Sequence, residues 1–167
     1  MLPLDTLLAT CAPQVAPATA RALIGVESGG NPYAIGVVNG ALVRQPRDAS
    51  EAIATARALE AGGWNFSVGL GQVNKHNFSK YGLTLVSAFD ACKNLQAMQA
   101  ILADCFARAP QRSPEQQALC QAFSCYYSGN FRTGFAQGYV VKVLQAWRSQ
   151  AAPRTEKGGL DRLITAP

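Results

Sequence analysis

The chain has 167 residues, 49% of them apolar and 15% charged, with a net charge of +5 and an isoelectric point near 9.1. That length and balance suit one globular domain with a hydrophobic core and exclude a disordered or low-complexity chain. No apolar run approaches the roughly 18 residues of a membrane-spanning helix, and the basic residues, from Arg21, Arg44 and Arg47 through Lys75, Lys80 and Lys93, are too scattered to build a nucleic-acid stripe.

Pro3 to about Thr10 reads as a short helix, punctuated by Pro13 and Pro17. Pro17 to Ser28 is a second helix, with proline near its start and Gly29-Gly30-Asn31-Pro32 as its stop. Ala34 to Arg44 alternates around Asn39-Gly40, a hairpin signal. Asp48 to Ala61 is helical, capped by Asp48 or Ser50 and ended by Gly62-Gly63. Trp64 to Asn74 is glycine-rich and reads as irregular. Helices follow over Phe89–Ala109, Ser113–Ser128 and Thr133–Gln150. The expectation is a mainly α domain over residues 1–150 with one small β-hairpin, then a flexible C-terminal tail over 151–167.

The five cysteines, Cys11, Cys92, Cys105, Cys120 and Cys125, form no CxxC pair, and His76, the one histidine, is distant from all of them. A metal site is therefore not expected. An odd count allows two disulfides and one free thiol. Cys120 and Cys125 fall on different faces of one predicted helix, which disfavours a bond between them. The opening MLPLDTLLATC has no basic leader and too short an apolar stretch for a signal peptide, so none is evident in this chain.

Chemistry centres on Glu27. Ala20, Leu23, Ile24 and Glu27 fall at i, i+3, i+4 and i+7 of one helix, so they share a face. No basic residue adjoins the carboxyl. Partial burial would raise its pKa, as a general acid working near neutral pH requires. Periodicity alone slightly favours a plain solvent-facing glutamate at the helix end.

Three segments decide between these. Glu27-Ser28-Gly29-Gly30-Asn31-Pro32 is followed by Gly69-Leu70-Gly71-Gln72-Val73-Asn74, then by Tyr126-Tyr127-Ser128-Gly129-Asn130. In this order they resemble the soluble lytic transglycosylase and goose-type lysozyme superfamily, whose motifs read Glu-Ser-x-x-Asn-Pro, Gly-Leu-Met-Gln-Ile/Val-Asn and Tyr-Asn-x-Gly. Further segments resemble the branch serving type IV secretion, the first VirB component and its conjugation and pilus relatives. They are Cys11-Ala12-Pro13, Pro32 to Val38, Gly63 to Ser67, Phe89 to Leu95 and Cys125 to Phe131. The likeness covers roughly residues 7 to 148.

The resemblance implies a lysozyme-like α+β fold and cleavage of the bond between N-acetylmuramic acid and N-acetylglucosamine, leaving a 1,6-anhydro end. Glu27 would be the single catalytic acid/base and Ser28 would orient its carboxyl. Gln72, with Gly69, Leu70 and Asn74, would line the groove. Tyr127, or Tyr126 if the register shifts by one, would hold Glu27, and Gly129 and Asn130 would complete the substrate contacts. Peptidoglycan strands and other secretion subunits are the implied partners, the periplasm the implied location, and no cofactor is implied. The resemblance also implies the pairings Cys11–Cys92 and Cys105–Cys125, leaving Cys120 free.

Two positions depart from the family: Gly71 stands where Met is common, which would widen the groove or loosen the loop, and Ser128 stands where Asn is common. Ordinary glycosidases need two carboxylates. The candidates for a second, Asp48, Glu51 and Glu60, all fall in the predicted 48–61 helix, where capping and solvation explain them. Trp64, Phe66 and Phe78 flank the second motif and suit either sugar stacking or core packing; His76 reads as a surface residue. A hydrolase of the same fold and a wall-binding subunit with weak or no catalysis remain as alternative functions.

Overall fold

Proline and small residues set the first two helices. In the computed structural model, which describes residues 2–110 and 114–151, α1 spans Leu4–Cys11 and α2 spans Pro17–Ser28. Pro17 occupies the first turn of α2, where its missing N–H has no partner to lose, and Gly29 closes the helix at φ 61°. Leu7, Leu8 and Cys11 of α1 and Ala20, Leu23 and Ile24 of α2 are buried.

The region expected to form a hairpin within 34–44 pairs elsewhere. β1 (Ile35–Val37) runs antiparallel to β2 (Phe66–Val68), and β2 to β3 (Val73–Asn74), giving the order β1-β2-β3. Asn39 does take the left-handed conformation of a turn, at φ 58°. The arm beyond it forms no strand, because the Gln45 side chain already accepts from Ile35 N and donates to Ile35 O. The hairpin instead joins β2 to β3 across Gly69–Gln72, so the stretch read as irregular carries two of the three strands.

α3 (Ala49–Ala61) is capped by the Asp48 carboxylate, which accepts from Glu51 N. Arg44 pairs with Glu51, clamping the 38–48 loop to this helix. Two 3-10 turns, 75–77 and 87–89, lead to α4 (Ala91–Ala107), which is capped by Asp90 and so starts two residues after the expected Phe89. α5 (Glu115–Ser128) ends at left-handed Gly129; the expected Ser113 start lies outside the described residues. The single helix expected over 133–150 is two, α6 (Thr133–Ala136) and α7 (Tyr139–Ala151), broken at Gly138 with φ 76°. Of the expected tail, Ala151 is the last residue of α7 and 152–167 lie outside the described residues.

α4 organises the packing. One face sends Leu95, Met98, Leu102 and Cys105 into a core shared with α1, α2, α5 and α7. Another sends Ala97 and Ile101 into a second core with β1, β2 and α3. Tyr126 packs against both. The helical body and the sheet lobe therefore meet along α4, and the groove between them holds the site. Cys11–Cys92 ties α1 to α4, and Cys105–Cys125 ties α4 to α5, with Cα separations of 5.2 and 5.7 Å; Cys120 is free. Among the described residues no helix is long and apolar enough to cross a membrane.

Candidate active site

Glu27 sits one residue from the end of α2, where the buried stripe of Ala20, Leu23 and Ile24 runs out into a groove of about 460 Å³. Burial pushes its pKa up to about 7, against the opposing pull of a hydrogen bond donated by Tyr139. A carboxyl so placed is divided between its acid and base forms near neutrality, so one group can give and later take a proton.

Tyr139, not Tyr127, holds Glu27. It is the first residue of α7, which packs against α2, and its hydroxyl donates to Glu27 Oε1. Tyr127 stacks on the Tyr139 ring, with centroids 4.4 Å apart and planes 16° from parallel, and donates its own hydroxyl proton to Gln137 Oε1 at 2.7 Å. Tyr126 donates to Gly71 O. Burial and the Glu27 charge raise the pKa of Tyr139 and Tyr126, so both stay donors at any working pH. The sequence signal for Tyr139 was its position with Val140 and Val143 on the buried face of the last helix, just after Gly138, but nothing in that pattern ties it to Glu27.

Of the residues the motifs pointed to, Gln72, Asn74, Tyr126 and Tyr127 line the groove with Glu27. The others build it from behind. The Ser28 hydroxyl, expected on Glu27, donates to Ile24 O at 3.2 Å and accepts from Gly30 N at 3.2 Å. Leu70 is 2% exposed and belongs to the core. Gly129 is the left-handed cap of α5, and Asn130 Oδ1 accepts from Arg132 N and Thr133 N, starting α6. Asn130 therefore holds the turn that leads into α6 and does not line the groove.

The second motif is the β2–β3 turn, and its glycines answer to Asn94. Asn94 is 1% exposed. It accepts from Gly71 N at 2.8 Å and donates to Val68 O and Ala88 O at 3.0 and 2.8 Å. A Cβ on Gly69 would lie 2.2 Å from Asn94 Nδ2, and φ there is +79°. A Cβ on Gly71 would come within 2.8 Å of Met98 and 2.9 Å of the Tyr126 hydroxyl. Gly71 thus faces the interior; it neither widens the groove nor loosens the loop. Gln72 holds a left-handed φ of 47°, and its Nε2 donates to Ala34 O and Gly69 O, both at 3.0 Å.

The αL cap at Gly129 also fixes the register of the third motif. Tyr126 takes the family tyrosine position, Gly129 the glycine, and Tyr127, not Ser128, stands where asparagine is common. The three other carboxylates weighed as partners are elsewhere. Asp48 caps α3, Glu51 is held down to about 2 by Arg44, and neither these nor Glu60 lines the groove. Phe66 is wholly buried and Phe78 packs beside it in the second core. Trp64 is half exposed over Gly40 and Gly62, outside the groove lining, and His76 is exposed.

A family model described as the transglycosylase SLT domain matches residues 7–145. The chain is 56% identical over 151 residues to the type IV secretion system protein virB1 of Brucella abortus (strain 2308), covering 86% of this chain and 63% of that protein. It is 36% identical over 153 residues to protein virB1 of Agrobacterium fabrum (strain C58), covering 91% and 62% respectively. It is also 37% identical over 145 residues to protein virB1 of Rhizobium radiobacter, covering 87% and 61%. The chain thus spans a little under two thirds of the length of these relatives. No solved structure matches at the same level of significance. With the model matched from α1 through most of α7, the chain belongs to the transglycosylase SLT domain family.

Proposed function

We propose that the chain is a peptidoglycan lytic transglycosylase with Glu27 as its sole acid/base, cleaving the bond between N-acetylmuramic acid and N-acetylglucosamine. The observation that carries this reading is a groove lined, among the described residues, by one carboxylate, with a pKa of about 7, and no second. Neutral Glu27 protonates the glycosidic oxygen as the bond from the anomeric carbon breaks. The carboxylate left behind takes the proton from the carbon-6 hydroxyl of the same muramic acid, whose oxygen closes on the anomeric carbon. Glu27 returns to its starting form, a 1,6-anhydro end results, and no water is consumed. The intramolecular hydroxyl supplies the effective molarity that a second carboxylate would otherwise achieve by activating water.

Tyr139 keeps Glu27 aimed into the groove through either protonation state, since its hydroxyl can donate to both. The Brucella abortus relative carries type IV secretion in its name. On that basis we assign this chain the local opening of the periplasmic wall for such an apparatus, working with other subunits of it.

Mass spectrometry of fragments released from purified sacculi tests the reading. Anhydro-ended muropeptides are expected, and Glu27→Gln should abolish their release. Products heavier by one water would make the enzyme a hydrolase, and unchanged release by the Gln variant would remove Glu27 from the chemistry.

A further inference from the structure

A second groove opens on another face of α4. It lies between α4, the start of α5 and the link from α1 to α2, and holds about 510 Å³. Among the described residues it shares no lining with the catalytic groove. Its floor is apolar: Val15, Phe106 and Leu119 are half-buried, pack against the helical core on one side and leave the other open. Its polar groups are not engaged. Thr19 is 6% exposed and lines the groove, yet its hydroxyl has no hydrogen-bond partner among the described residues. Gln99 Oε1 accepts from Gln14 N at 2.7 Å, which leaves both Nε2 protons free. Glu115 is exposed at the rim and has no ion pair among the described residues, and no lysine or arginine among them lines the groove.

A hydroxyl and an amide set among apolar walls without partners are unfavourable unless a ligand supplies them. The pattern fits a short peptide, with aliphatic side chains for the floor, main-chain polar groups for Thr19 and Gln99, and a cation for Glu115. This sequence contains such a peptide, and the chain leads to the groove. α7 ends beside it: Gln150 Nε2 donates to Ala18 O at 3.0 Å, and Ala18 adjoins Thr19 in α2. Residues 152–167 follow, and within them Leu160-Asp161-Arg162-Leu163-Ile164 sets three large aliphatic residues around one arginine. From Ala151 to Leu160 the chain can span up to about 30 Å, well beyond the width of a groove of this volume. We propose that the groove is the docking surface for this chain's own C-terminal segment. Leu160, Leu163 and Ile164 seat on Val15, Phe106 and Leu119, and Arg162 faces Glu115. Docked there, the segment leaves the catalytic groove open.

Nuclear magnetic resonance and amide hydrogen exchange on the full 167-residue chain test this. Methyl NOEs from Leu160, Leu163 and Ile164 to Val15 and Leu119 are expected. Exchange over 160–164 should be slowed about tenfold or more relative to an unstructured chain. Leu163→Asp should abolish both signals while the methyl resonances of Val68 and Val73, buried in the sheet lobe, stay in place and report an intact fold. Arg162→Glu and Glu115→Arg should each lower the protection about two- to fivefold, and the two together should restore it, as expected of one exposed ion pair. Unprotected amides without these NOEs would overturn the proposal, as would signals that survive Leu163→Asp. NOEs seen only between labelled and unlabelled chains in a mixed sample would also overturn it, because the occupant would then be the segment of a second copy. NOEs from the segment to a different face would do the same.

Discussion

Replacing Glu27 by Gln isolates the energy of holding a carboxylate in the groove. Burial raises the Glu27 pKa from 4.5 to about 7, so the folded chain binds this proton more tightly than the unfolded chain. Stability from this group is fully present below pH 4.5 and is lost as the pH rises through 7. At 1.36 kcal/mol per pH unit the loss is about 3 kcal/mol, a ceiling because solvent reaches the groove. Glutamine keeps the acceptor for Tyr139 and carries no charge at any pH. The melting temperature of Glu27→Gln should therefore exceed that of the parent by a margin that grows between pH 4.5 and about 8 and then levels. For a domain of this size the margin is up to about 10 °C. Thermal unfolding of both proteins across pH 4 to 9 measures it. A margin that does not change with pH would mean that the carboxylate is solvated, and the argument for a poised acid would fall with it.

Tyr139→Phe removes the bond that lowers the Glu27 pKa, so the alkaline limb of kcat/KM should move above 7 while kcat falls about tenfold; a limb that moves down would refute the assignment. Asn94→Leu leaves Gly71 N, Val68 O and Ala88 O without their partner and should cost about 3 kcal/mol or more, read from the urea midpoint. Gly71→Met, which restores the common family residue, should destabilise by about 1–3 kcal/mol, and less in a Met98→Ala background where the side chain has room. Removing Cys11–Cys92, which spans 81 residues, should cost about 4 kcal/mol against about 3 kcal/mol for Cys105–Cys125, which spans 20; equal costs would argue against loop entropy as the cause.

Local signals located most helices because each carries its own punctuation. Pro17 and Gly29 bracket α2, and Asp48 and Asp90 cap α3 and α4 through backbone N–H groups three residues on. The sheet was less legible for a physical reason. Asn39-Gly40 does turn the chain, but whether a turn becomes a hairpin depends on what the next arm meets. Here a glutamine side chain ten residues along takes both polar groups of Ile35, and β1 finds its partner some thirty residues downstream. The break at Gly138 was missed because Thr133 to Gln150 is helix-compatible throughout and only the left-handed φ of one glycine divides it. Glu27 could be read because it lies within a local motif. Tyr139 could not, since it reaches Glu27 across 112 residues of sequence through the packing of α7 on α2.

The departures from the family motifs belong to one arrangement. A residue at position 71 points toward α4, where Met98 already fills the space, so a second large side chain there would collide with it. With glycine at 71, Met98 occupies that volume from the helix side and the Tyr126 hydroxyl reaches the Gly71 carbonyl. Asn94, one turn before Met98 on the same face of α4, takes the Gly71 N–H. Both polar groups of Gly71 are thus satisfied by side chains of the helical body, and the β2–β3 turn is held to it at its tip. Tyr127, where the family commonly has asparagine, acts on the opposite wall: its ring backs Tyr139, and Tyr139 holds the acid. Each departure leaves Glu27 in place and changes only what supports it. The chemistry asks for one partly desolvated carboxyl at a fixed orientation, and two tyrosines on α5 and α7 can supply that orientation where the expected serine contact is absent.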